Sequence, residues 1–158
     1  MRIALHSLCV GLLLVVLQAH ARADDGLAVI VPPGHVLTTL DAPTLAAIFR
    51  RKLRVTADGQ ALVPVNLRLT NPLRTAFSLT VFGLEPAAME TYWNERYFHG
   101  VQPPPVVSSA EAMLRFVAAT DGAIGYVPAC RVDPRVRQLM TLPLPAGFSF
   151  GCDTPERP

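Results

Sequence analysis

Short apolar runs alternate along the chain with helix-length amphipathic segments, and that alternation confines it to a layered α/β fold. Leu27-Ala28-Val29-Ile30-Val31 is apolar at every position, as expected of a strand covered on both faces, and Pro32-Pro33-Gly34 ends it. Asp41 is placed to cap a helix with Pro43 in its first turn and with Leu45, Ile48 and Phe49 on one face. After the Asp58-Gly59 turn, Leu62 to Val65 predict a short strand. Pro64 cannot donate to a ladder there and so favours an edge.

The clearest helix is bounded by Asn71 as cap, Pro72 at the first helical position and Gly83 as stop, with Leu73, Ala76, Phe77, Thr80 and Val81 inward. A further helix opens at Pro86, its Met89, Tyr92, Trp93 and Tyr97 at core spacing. Val106-Val107 follows the Pro103-Pro104-Pro105 break, and Ser108-x-x-Glu111 reads as a capping box opening a helix that buries Ala110, Met113, Phe116 and Val117. Asp121-Gly122 then turns the chain into the strand Ala123 to Val127, whose Gly125 marks a close backbone approach. Val136 to Leu142 predict a last strand.

The N-terminal 23 residues stand apart. Arg2, an apolar core from Leu8 to Leu17 and the Ala21-Arg22-Ala23 triplet have the organisation of a cleavable signal peptide. That apolar run is shorter than the roughly 20 residues a membrane span needs, although a retained anchor is the alternative. The expected mature part is residues 24–158, one domain with a C-terminal tail, working in the periplasm. Losing Arg2 and Arg22 leaves 12 basic against 12 acidic residues, so the mature net charge is zero. A neutral chain lacks the positive surplus that nucleic acid or an anionic membrane would require.

Two cysteines remain, Cys130 and Cys152, and in an oxidising compartment an even pair predicts one disulfide. Closing that loop contributes about 3 kcal/mol in the chain-entropy picture. Free or metal-bound thiols are the competing reading, and no Cys or His at ligand spacing supports a metal site.

Catalytic signatures are scarce. The sequence has no nucleophile elbow, no His-Glu-x-x-His and no phosphate loop of the Walker type, so a non-enzyme is expected, with no cofactor and no metal. His35 and His99 fall in Pro- or Gly-bearing turns, as surface or turn-stabilising residues. Arg50, Arg51, Lys52 and Arg54 follow a helix end, where cations are ordinary dipole partners.

Arg68 and Arg74 flank a helix start instead, and free N–H groups there favour an anion. A candidate oxyanion seat combines Arg68 before the helix, Thr70 and Asn71 at the cap, and Arg74 folding back over the end. The competing reading is that Asn71 merely caps while both arginines are solvated. Ser108 and Ser109 mark a second helix start. Capping alone explains them, unless both starts face one crevice at the carboxyl ends of the strands and a small anion bridges them.

Several of these segments resemble the second lobe of the phosphate-binding proteins of ABC transporters. They are Leu45-Ala-Ala-Ile-Phe49, Asp58-Gly59 with Val63-Pro-Val65, Tyr92-Trp93 before Phe98-x-Gly100, Ser108-Ser109 and Gly122-Ala-Ile-Gly-Tyr-Val127. The resemblance is nearest to the short, stand-alone periplasmic members. It implies one lobe of a type II periplasmic binding protein, with a mixed, mostly parallel sheet of about five strands flanked by helices.

It also implies a solute-binding-like role with a small oxyanion such as phosphate as ligand, and a membrane transporter or periplasmic protein as partner. The family's phosphate loop, an arginine followed after a spacer by Ser-Gly-Thr, aligns on Phe77 with Arg68 and with Asn71-Pro72-Leu73. That exchange removes an N–H and hydroxyls, each worth about 1.5–3 kcal/mol to a charged ligand, so weak or lost binding is expected. An interaction module that keeps the fold without a ligand is the alternative.

Overall fold

The computed structural model describes residues 26–151. The expected signal peptide, residues 1–23, and Cys152 lie outside them. Strand β1 (Gly26–Val31) is buried along its whole length at the centre of a four-stranded sheet. Its neighbours are β5 (Ala123–Pro128) and β6 (Arg137–Pro143), both antiparallel to it. On the far side of β5 lies β2 (Val63–Pro64), parallel to it. One residue later the same extended backbone becomes β3 (Asn66–Leu67), which pairs in parallel with β4 (Val106–Val107). Val65 N–H still donates to Ile124 O at 2.9 Å, whereas Asn66 N–H donates to Pro105 O at 2.9 Å. Residues 63–67 thus hand over from one ladder to the next.

The α/β lobe is as expected from the sequence, but the four-stranded sheet is not mostly parallel: two of its pairings are antiparallel and one is parallel, and the second parallel pairing belongs to the separate β3–β4 ladder. The cause is β1. Both of its neighbours run against it, and β5 reaches β6 through a short connection rather than a helical crossover.

Four helices cover this framework. In α1 (Ala42–Phe49), Asp41 caps through a bond from Thr44 N–H at 2.8 Å. In α2 (Pro72–Phe82), Asn71 caps and Gly83 closes in the left-handed region at φ 67°. A 3-10 turn at Pro86–Met89 leads into α3 (Glu90–Phe98), and α4 (Ala110–Ala119) packs on β5. That contact needs Gly125, because a Cβ there would lie 2.5 Å from Met113 Sδ and 2.9 Å from Val117 Cγ2.

The core joins β1 and β5 to the inner faces of α1, α2 and α4. At its centre Phe77 stacks on Tyr126, with centroids 3.9 Å apart and planes at 6°, and Phe49 tilts against Phe77 at 4.6 Å.

Two expectations fail in the helices. No residue of α3 is buried: Tyr92 and Trp93 are half-buried, while Tyr97 and Phe98 are 64% and 86% exposed. Helical spacing held for Tyr92 and Trp93 in part and failed for Tyr97; of the four, only Met89, in the preceding turn, is buried. The cap of α4 is Ser109, which accepts from Ala112 N–H at 3.1 Å, so Ser108 opens no capping box. Glu111 is drawn away from the helix start by Arg135, which holds its two oxygens at 2.8 and 2.9 Å.

Candidate functional site: two helix starts and a buried arginine

Parallel pairing of β3 with β4 sets Asn66 against Val106 and Leu67 against Val107. The chain therefore leaves the two strands side by side, at Arg68 and Ser108, and enters α2 and α4 within a few residues. Both exits lie at the carboxyl ends of the two strands, the end at which α/β sheets bind ligands. Arg68, Thr70 and Ser108 are exposed there, and Asn71 and Ser109 are half-buried.

The start of α2 offers little to an anion. Pro72 has no N–H, Leu73 N–H is taken by Asn71 Oδ1 at 2.9 Å, and Arg74 N–H by Asn71 O at 2.9 Å. Asn71 N–H in turn donates to Arg68 O at 3.0 Å. The polar chemistry left at this tip is the Arg68 guanidinium and the Thr70 hydroxyl, beside the Ser108 and Ser109 hydroxyls.

Arg74 does not cover the helix end. It turns inward and is 5% exposed, its Nη1 donating to Oδ1 of Asn66, itself 4% exposed. The same oxygen accepts from the Tyr126 hydroxyl at 3.3 Å, and that hydroxyl accepts from Leu67 N–H at 3.2 Å. Burial pushes the Tyr126 phenol above its usual range, and the Arg74 charge opposes the shift. The inward turn follows from this acceptor: Asn66 presents a buried oxygen that a charged donor satisfies better than solvent at the tip would.

Neither Asn66 nor Tyr126 is evident as a site residue from residue type alone. The available signal was one amide inside the otherwise apolar run Val63 to Leu67.

Beside Arg74 and Asn66 lies a cavity of about 350 Å³, walled by β3, the Pro86 turn, α3 and the proline segment before β4. His35 is remote from both sites in the chain's connectivity and serves its turn: buried, it accepts Leu37 N–H on Nδ1 at 3.1 Å. Among the described residues no three His, Cys, Asp or Glu side chains gather as a metal site, and no helix is long and apolar enough to cross a membrane.

A mixed sheet with helices that start just beyond the ends of its two paired parallel strands makes this chain a single α/β lobe. Solved structures similar to it include phosphate-transport proteins. An ABC-type phosphate transport receptor from Vibrio cholerae superposes with a TM-score of 0.59 and 21% identity, covering 73% of this chain and 45% of that one. A putative phosphate ABC transporter substrate-binding protein from Clostridium perfringens, solved with bound phosphate, gives 0.59 and 19%, covering 73% and 44%. PstS from Borrelia burgdorferi gives 0.50 and 16%, covering 65% and 40%. The chain thus spans less than half the length of each. At these identities the likeness is one of fold. No family model and no curated protein matches the sequence.

Proposed function

We propose that the chain is a non-enzymatic, solute-binding-like protein of the periplasm, exported by residues 1–23 and closed by a Cys130–Cys152 disulfide, whose oxyanion binding is weak. The observation that carries this reading is the side-by-side exit of β3 and β4, which sets Arg68 and Thr70 near Ser108 and Ser109 at one end of the sheet. The similar structures place phosphate-transport proteins on the same fold.

Weakness follows from the occupied donors at Asn71, Leu73 and Arg74, each charged hydrogen bond forgone costing about 1.5–3 kcal/mol. One guanidinium with a few hydroxyls then holds phosphate or sulfate in the millimolar range, about −4 kcal/mol. Isothermal titration of the exported chain with each anion tests this. A weak heat that disappears in Arg68→Ala is expected; neither heat nor a thermal shift with either anion would remove the reading.

A second reading, an interaction module that docks on a transporter or another periplasmic protein, is favoured by Tyr97 and Phe98, which stand exposed at the end of α3. A pull-down from periplasmic extract in which Tyr97→Ser/Phe98→Ser recovers the same proteins as the parent chain would count against it.

A further inference from the structure

The buried guanidinium of Arg74 is unbalanced. Nη1 is used on Asn66, a neutral amide whose oxygen is already shared with Tyr126, while Nε is buried with no acceptor. Among the described residues no carboxylate pairs with it. A buried cation without a counter-charge is costly, and the environment that relieves it is an anion that reaches the guanidinium.

The cavity of about 350 Å³ that Arg74 and Asn66 line provides the route, and its size lies within the roughly 300–1,000 Å³ of small-molecule sites. Its remaining lining is largely apolar, including Leu67, Pro86, Trp93 and Pro104, with Glu90 on its exposed side.

We propose that this cavity is a binding site for a small organic monocarboxylate, with the carboxylate on the Arg74 guanidinium and an apolar body against Trp93 and the prolines. A guanidinium gives a carboxylate a charge-assisted hydrogen bond, shorter and stronger than one between neutral groups. The apolar lining favours a ligand with a hydrocarbon part over a bare inorganic ion, because burying that surface adds about 25 cal/mol per Å². Glu90 adds a negative charge beside the cavity and so disfavours a dianion such as phosphate. The site differs from the helix starts in residues and in ligand class: Arg68, Thr70, Ser108 and Ser109 take no part in it.

Trp93 is the only tryptophan of the chain, so its emission reports occupancy directly. Titration with phenylacetate is expected to give a saturable change in Trp93 fluorescence, and the neutral isostere phenylacetamide one at least about tenfold weaker, because the charge-assisted bonds to Arg74 are lost. Ala87→Phe fills the cavity from an exposed lining position without touching the buried network, and is expected to abolish the response. Arg68→Ala is expected to leave it unchanged. No saturable change with phenylacetate, an equal response to phosphate, parental binding in Ala87→Phe, or loss of binding in Arg68→Ala would each overturn the assignment.

Discussion

Arg74 donates to the side-chain oxygen of Asn66, and both residues are at least 95% buried. With Tyr126 they tie α2, β3 and β5 together through one amide oxygen. Asn66→Leu removes the amide acceptor of the buried guanidinium and is expected to destabilise the fold by about 3 kcal/mol, the penalty of a buried charge that loses its hydrogen bond. Tyr126→Phe keeps the stacking on Phe77 but leaves Leu67 N–H without its acceptor, at a cost of about 1–3 kcal/mol. Urea unfolding of the two variants checks both values; a Tyr126→Phe chain as stable as the parent would show that the hydroxyl contributes nothing.

Two glycines of the same strand region are sensitive for different reasons. Gly125 gives α4 its seat on β5, and Gly125→Val overpacks that contact by a whole side chain, with a loss of about 1–3 kcal/mol expected. Gly122 sits at φ 72°, and any Cβ there would strike the carbonyl oxygen of Ala61. Gly122→Ala therefore combines left-handed strain of about 1–2 kcal/mol with a backbone collision. Thermal melts that rank Gly122→Ala below an exposed control such as Gly147→Ala, which shares its positive φ but has open space, separate the collision from the strain.

Stability should fall in mild acid because of His35. Burial lowers its pKa below the ordinary 6.5; the Gly122 backbone opposes the shift and the Arg137 charge adds to it. The folded chain then holds a neutral imidazole where the unfolded chain takes up a proton. Its contribution is whole above about pH 6.5 and is lost as pH drops below that value toward the lowered folded pKa. Urea midpoints between pH 7.5 and pH 5 are expected to decline in the parent chain and to decline less in His35→Asn. Parallel curves would sink this assignment.

The proposed Cys130–Cys152 disulfide is tested by alkylation of the chain, recovered from the periplasm, before and after reduction. Neither Cys130 nor Cys152 is expected to react before reduction, and both after it. Replacing the pair by serine is expected to cost about 2–5 kcal/mol. N-terminal sequencing of the same sample is expected to begin at Asp24.

Sequence alone determined the elements whose signals are local. Asp41, Asn71 and Gly83 bound their helices because caps satisfy the chain's own orphan groups, a matter of neighbours a few residues apart. The all-apolar run of β1 announced a strand covered on both faces, and Gly125 announced a close approach, which α4 makes. Tertiary structure decided what depends on residues far apart. The reversal of β1 against both neighbours, the exposure of α3 despite its core-like spacing, and the withdrawal of Glu111 to Arg135 all have partners distant in sequence. So does the inward turn of Arg74. Its chemistry depends on Asn66 and Tyr126, 8 residues before it and 52 after it, and side-chain hydrogen bonding of that kind leaves no periodic trace in a sequence.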